Sequence, residues 1–141
     1  MPDSPAVLVV EDDPSTQGLL IALIKHQGLS CRAAGDGRAA LAMIAEETPS
    51  AIVLDLIMPE MDGFEVLREL KRSAPALLSR TIVVTAAAIR NVGEVPELAL
   101  VRRFLRKPLD IEQLGAAVSE CAAQPVRKAG RAGDYGTPSQ P

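Results

Sequence analysis

The chain has 141 residues, 48% hydrophobic and 23% charged, which is enough for one globular domain with a real core. A net charge of −3, an aromatic content of 2% and no Trp exclude a general nucleic-acid-binding surface built on base stacking, so no direct DNA binding is expected. No apolar run is long enough to span a membrane, no basic flank and apolar stretch open the chain, and Cys31 and Cys121 lack metal-ligand spacing; these features predict a cytoplasmic protein with two free thiols.

Ala6 to Val10 is a continuous apolar run that ends in Glu11, Asp12 and Asp13. A short run of this kind reads as a strand buried on both faces. Pro14 suits the first position of a helix and Asp13 suits its N-cap. The first helix should run to about Gln27, with Leu20, Leu23 and Ile24 inward and Gly28 as its stop. His26 falls in the last turn, where a solvated role fits the helix dipole.

Ser30 to Ala34 is polar enough for an edge strand. Asp36-Gly37 leads into a second helix, Arg38 to Glu47, with Leu41, Ile44 and Ala45 as its apolar stripe. Ala51 to Leu54 is another buried strand and runs straight into Asp55. Pro59 and Asp62-Gly63 are turn residues, and Asp62 with Glu65 has the form of a capping box opening a third helix through Phe64, Leu67 and Leu70. Ser73 to Ser79 reads as a loop, and Thr81 to Val84 as a further buried strand closed by Thr85. Arg90 to Leu100 is a poor helix, weakened by Asn91, Gly93 and Pro96. Arg103 to Arg106 is a short strand, broken by Lys107-Pro108. Asp110 and Gln113 then cap a last helix with Ile111, Leu114, Val118 and Cys121 facing in. After Gln124 the composition turns to Gly, Pro, Arg, Ser and Thr, so residues 1–124 are expected to form the domain and 125–141 a disordered tail.

Strand and helix thus alternate five times, which implies a parallel sheet with helices on both faces. Ligands in such sheets bind beyond the carboxyl ends of the strands. At those ends stand Glu11-Asp12, Asp55, Thr85 and Lys107. Taken alone, Asp55 is as well read as a strand terminator as it is a reactive group. In company, the crowded carboxylates call for a compensating cation. A set of hard oxygen donors suits Mg²⁺, while Thr85 and Lys107 suit a phosphoryl group. Transfer of that group to Asp55 would give an acyl phosphate.

The segments VLVVEDDPS at 7–15, IVLDLIMPEMDGFEVL at 52–67, IVVTAAA at 82–88 and FLRKPL at 104–109 together resemble the receiver domain of two-component response regulators. The likeness spans residues 6 to 123, with the motifs in family order and at family-like intervals. It implies a doubly wound, flavodoxin-like (CheY-like) α/β fold with a five-stranded sheet ordered 2-1-3-4-5. It implies Asp55 as the phosphoacceptor, and Mg²⁺ held by Asp12 directly, by Glu11 through water, by Asp55 and by the backbone carbonyl of Ile57. Thr85 matches the switch hydroxyl, Lys107 the family lysine and Phe104 the aromatic rotamer switch, although Phe104 also reads as a plain edge-strand core residue. Asp13 matches a variable acid, which agrees with its N-cap reading.

The resemblance further implies a single-domain receiver that takes its phosphoryl group from a sensor histidine kinase or a histidine phosphotransfer protein. It would signal to a downstream protein through the face made by helix four, strand five and helix five. That face departs from the family pattern: Leu98 to Arg103 replaces the usual small-residue turn, and Arg102, Arg103 and Arg106 make it basic. Three other readings compete. A phosphate-independent module would be expected to lose one of the acids or the lysine. An aspartate-nucleophile phosphatase would carry an acid at Ile57, and a flavin carrier would need a phosphate loop where Glu11-Asp12 stands.

Overall fold

The computed structural model describes residues 5–58, 61–86 and 95–124. A five-stranded parallel sheet runs through them in the order β2-β1-β3-β4-β5. Its strands are β1 Val7–Val10, β2 Cys31–Ala34, β3 Ala51–Asp55, β4 Thr81–Thr85 and β5 Arg103–Arg106. The α-helices among the described residues are α1 Pro14–His26, α2 Gly37–Glu46, α3 Gly63–Ser73 and α4 Ile111–Ala122.

The central strands β1, β3 and β4 are buried along their whole length, which is why they read as unbroken apolar runs rather than alternating ones. Alternate residues feed two cores. Leu8, Val10, Ile52, Leu54 and Val83 meet Ala40 of α2 and Val66, Leu67 and Leu70 of α3. Val7, Val9, Val53, Ile82, Val84 and Leu105 meet Leu20 and Ile24 of α1 and Leu114, Val118 and Cys121 of α4. Each fully buried aliphatic side chain contributes about 1.5–3 kcal/mol, so both layers are firmly attached to the sheet.

Helix starts follow the expected capping chemistry. Asp13 accepts from the Thr16 N–H, Asp36 from the Ala39 N–H, and Asp110 from the Glu112 and Gln113 N–H groups. Asp62 and Glu65 form a complete capping box at α3. Gly28 has φ of 82°, the left-handed conformation that ends α1 at little cost for glycine.

Four local expectations are corrected. The stretch after α3 is a 3₁₀ helix, Pro75–Arg80, because Pro75 opens a turn and Leu77 and Leu78 are pulled into the core. Ala45 is exposed, since the inner face of α2 is set by Gly37 and Ala40, with Leu41, Met43 and Ile44 partly buried. Ile111 is exposed as well. The buried stripe of α4 is Leu114, Gly115, Ala117, Val118 and Cys121, centred on small residues. Gly115 lets α4 approach α1: its carbonyl accepts from Gln27 Nε2 at 3.0 Å, and a Cβ there would lie 2.8 Å from that nitrogen. In the expected fourth helix, Pro96–Ala99 forms a 3₁₀ turn carrying buried Leu98, and residues 87–94 lie outside the described residues. The expected tail, 125–141, also lies outside them.

Arg80 ties the lower end of the molecule together. Its guanidinium donates to the Ser50 and Cys121 carbonyls at 2.9 and 3.0 Å and to the Gln124 carbonyl at 3.2 Å. The Cys121 carbonyl, which also accepts from the Gln124 N–H, and the Gln124 carbonyl just past α4 are thereby tied to the residue that precedes β3.

Candidate functional site

The carboxyl ends of β1 and β3 bring Glu11, Asp12 and Asp55 into one cluster. Each residue offers a carboxylate oxygen, and these oxygens all lie within 4.8 Å of one another. Glu11 and Asp55 are buried, whereas Asp12 faces solvent. Lys107, just past the end of β5, places Nζ 3.2 Å from Glu11 Oε1 and 3.6 Å from Asp55 Oδ2. Thr85 is fully buried at the end of β4, one residue beyond Val84, the register partner of Asp55. Its carbonyl accepts from the Lys107 N–H at 2.9 Å, and the Lys107–Pro108 peptide is cis.

Ile57 stands two residues after Asp55 with its side chain 54% exposed, and its N–H donates to Asp55 Oδ1 at 3.2 Å. Phe104 is half-buried on β5 in register with Val83. The structure therefore brings Glu11, Asp12, Asp55 and Lys107 into direct proximity. Thr85 and Ile57 stand at the same end of the sheet, and Phe104 lies three residues back along β5.

Glu11 is held above the ordinary carboxylate value of 4.5. Burial is the main cause and the like charge of Asp55 adds to it; the Asp13 N–H and Lys107 pull the other way. Burial alone would lower the Lys107 ammonium, but the Glu11 and Asp55 carboxylates outweigh it and raise the group above 10.5. Lys107 is thus a firmly charged cation beside a carboxyl that burial disfavours in its ionised form. The donor set is oxygen-only, hard and open on the Asp12 side. That fits Mg²⁺, which keeps several waters and uses one or two carboxylates.

Several positioning residues escaped the sequence reading. Gln17 Nε2 donates to the Glu11 carbonyl at 2.8 Å, so α1 pins the acidic turn. Glu11 Oε2 accepts from the Asp13 N–H at 3.1 Å. Gly63, read from sequence as part of the turn that opens the Asp62–Glu65 capping box, is the first residue of α3. A Cβ there would lie 2.4 Å from the Asp55 carbonyl oxygen and 2.6 Å from Leu56 Cα, and its N–H donates to the Leu56 carbonyl at 3.0 Å. Gly37 makes a similar close approach on the other side of the β3–α3 connection, donating to the Met61 carbonyl at 3.0 Å. The sequence signal was present in both glycines, but nothing local distinguishes a close backbone approach from a turn.

A doubly wound parallel sheet with an acidic cluster and a lysine at its carboxyl edge is an arrangement suited to phosphoryl chemistry at that edge. The response regulator receiver domain family matches residues 7–119, and the chain belongs to that family. An uncharacterised 14.6 kDa protein of Leptolyngbya boryana is 32% identical over 120 residues, covering 84% of this chain and 92% of its own length. The response regulator MprA of Mycolicibacterium vanbaalenii is 34% identical over 108 residues, 77% of this chain and 46% of MprA. The chain thus spans about half the length of the MprA relatives it matches. The response regulator TrrA of Thermotoga maritima, crystallised with Mg²⁺ and beryllofluoride, shares the fold at a TM-score of 0.72 and 22% identity, over 83% of this chain and 98% of that one. Receiver domains are CheY-like signalling domains of two-component systems. As a family they are phosphorylated on aspartate, depend on Mg²⁺ and receive the phosphoryl group from histidine kinases. No helix among the described residues is long and apolar enough to cross a membrane.

Proposed function

We propose that Asp55 is the phosphoacceptor of this receiver domain, taking a phosphoryl group from the phosphohistidine of a sensor histidine kinase or a histidine phosphotransfer protein. The phosphorus–nitrogen bond breaks, the electron pair leaves with the imidazole nitrogen, and a phosphorus–oxygen bond forms to the Asp55 carboxylate. Hydrolysis by water returns the carboxylate and inorganic phosphate. Asp12, Asp55 and the Ile57 carbonyl would hold Mg²⁺ directly and Glu11 through water. Bound there, the ion supplies positive charge to the phosphoryl oxygens.

Lys107 pairs with a phosphoryl oxygen and gives up part of its contact with Glu11 and Asp55. The Thr85 hydroxyl donates to a second phosphoryl oxygen, and Phe104 turns into the space that Thr85 vacates. Phosphate shifts this two-state balance only by binding the inward state better. A downstream protein reads the change on the face made by residues 95–100, β5 and α4. The domain lies within residues 1–124 and works in the cytoplasm without contacting DNA directly.

The observation that carries this reading is the grouping of three carboxylates within 4.8 Å of one another, with the Lys107 ammonium against two of them, Glu11 and Asp55. Intact mass after treatment with acetyl phosphate and Mg²⁺ tests it. One phosphoryl adduct is expected in the wild type and none in Asp55→Asn. If no adduct forms, or if it forms equally in the variant, the phosphate-independent module is the better account.

A further inference from the structure

We propose that Gln17 is a positioning residue for the metal site, holding Asp12 where a divalent cation can meet it. β1 ends at Val10 and α1 begins at Pro14, so Glu11, Asp12 and Asp13 form the whole connection. Gln17, one turn into α1, grips that connection on both sides of Asp12. Its side-chain Nε2 donates to the Glu11 carbonyl at 2.8 Å, and its backbone N–H donates to the Asp13 carbonyl at 2.8 Å. The Glu11 carbonyl belongs to the peptide unit that carries the Asp12 N–H, and a peptide unit moves as one plane. The next plane is fixed as well, because the Asp13 N–H donates to Glu11 Oε2 at 3.1 Å. Asp12 is therefore bracketed by two pinned peptide units.

Asp12 needs that bracket. Its carboxylate oxygen lies within 4.8 Å of those of Glu11 and Asp55, and like charges at that range repel it in metal-free protein. The Lys107 ammonium contacts Glu11 and Asp55, at 3.2 and 3.6 Å, whereas Asp12 faces solvent. The aim of Asp12 at the cluster is thus set through its backbone. Mg²⁺ demands near-ideal octahedral geometry, so a loosely held carboxylate weakens its binding. Without the Gln17 bond, the ion would have to supply part of the ordering of one residue, which is about three- to tenfold in affinity. This deepens the metal site proposed above and rests on it for Asp12 as a direct ligand.

Gln17→Met tests the assignment. Methionine has nearly the length and helix propensity of glutamine, carries no donor and changes no charge. Calorimetric titration should show Mg²⁺ binding about three- to tenfold weaker than in wild type. The ¹⁵N order parameter of the Asp12 amide in metal-free protein should also fall below that of rigid backbone. Gln17→Asn keeps the amide but is one methylene shorter, and it should weaken Mg²⁺ binding to a similar degree. A role confined to the stability of α1 would lower the thermal midpoint and leave both readings at their wild-type values.

Unchanged Mg²⁺ affinity in Gln17→Met overturns the assignment. So does weakened affinity with the Asp12 order parameter unmoved, since the effect would not then pass through Asp12. Wild-type affinity in Gln17→Asn overturns the role of the side-chain bond. If the wild type binds no Mg²⁺, the metal site proposed above fails. The Asp12 order parameter in metal-free Gln17→Met then decides the bracket by itself: a fall supports it and an unchanged value overturns it.

Discussion

Lys107 Nζ lies 3.2 Å from Glu11 Oε1 and 3.6 Å from Asp55 Oδ2, so a single ammonium from the end of β5 faces carboxylates carried by β1 and β3. Glu11 is only 1% exposed, and Lys107 is its cationic neighbour in this cluster. Lys107→Met should therefore leave a buried carboxylate poorly compensated and cost about 1–3 kcal/mol of stability in metal-free protein. Urea unfolding with and without Mg²⁺ checks this. The loss should shrink when Mg²⁺ is present, and an unchanged midpoint in metal-free protein would show that the ion pair contributes nothing.

Metal binding should depend most sharply on Asp12, the cluster member that faces solvent and can meet a hydrated ion. Asp12→Asn should abolish Mg²⁺ binding in calorimetric titration while leaving the fold intact, because the side chain is not part of the core. Wild-type affinity in that variant would move the metal elsewhere.

Glu11 gives the site a pH signature. Its folded-state pKa lies above 4.5, so the folded protein takes up this proton more readily than the unfolded chain does. Its contribution to stability is therefore full below the unfolded value and is lost as the pH rises through the raised folded value. Other carboxylates act in the opposite sense: Asp13, drawn down by the Thr16 N–H, loses its contribution as the pH falls. The difference between wild type and Glu11→Gln isolates Glu11. Metal-free wild type should lose stability relative to the variant as the pH rises from about 4.5 toward neutrality, and Mg²⁺ should recover that loss. Parallel pH profiles in the two proteins would remove Glu11 from the account.

Gly63 and Gly18 make a matched pair of helix glycines. A Cβ at Gly18 meets nothing within 4 Å, so Gly18→Ala should stabilise α1 by about 0.5–1 kcal/mol. A Cβ at Gly63 runs into the backbone of Asp55 and Leu56, which cannot yield without moving Asp55. Gly63→Ala should cost about 1–3 kcal/mol and slow adduct formation with acetyl phosphate. Thermal midpoints and the rate of mass gain read the two effects, and a neutral Gly63→Ala would mean that the connection after β3 adjusts freely.

Those glycines mark the limit of what the sequence alone conveys. The strand ends and the caps were legible because apolar runs, Asp caps and Pro14 act locally, whereas the sheet order came from the resemblance to receiver domains, and the site residues follow from which strands end beside one another. The inner face of α4 was legible in Leu114, Val118 and Cys121 but not at its start: Ile111 fits a helical stripe as well as Leu114 does yet is exposed, and the close approach of Gly115 to Gln27 marks which side of the helix faces α1. The bond from Gln17 to the Glu11 carbonyl and the three carbonyls gathered by Arg80 depend on where separate elements meet. The basic face was legible as charge but not as contact: Arg102 donates to the Ser79 carbonyl at 3.0 Å, Arg103 is exposed, and Arg106 lies over Phe104.

Ile57 should set the lifetime of the phosphorylated state. Its N–H is directed at Asp55 Oδ1, which fixes the carboxylate, while its side chain is 54% exposed beside the acceptor. Water attacking the acyl phosphate must pass that side chain. An isoleucine can neither orient the water by a hydrogen bond nor accept its proton, so the adduct should hydrolyse slowly. Ile57→Asn puts a donor and an acceptor in the same place without adding charge to an already acidic cluster. One hydrogen bond to the attacking water is worth about 1 kcal/mol, or roughly fivefold in rate. The backbone carbonyl of Ile57 is unchanged by the substitution, so the metal set proposed for the site is preserved. Adduct loss followed by intact mass after removal of acetyl phosphate measures the rate directly. Wild type and Ile57→Asn should form the adduct at similar rates and differ in its decay; equal decay would show that the side chain at this position does not control access of water to the phosphoryl group.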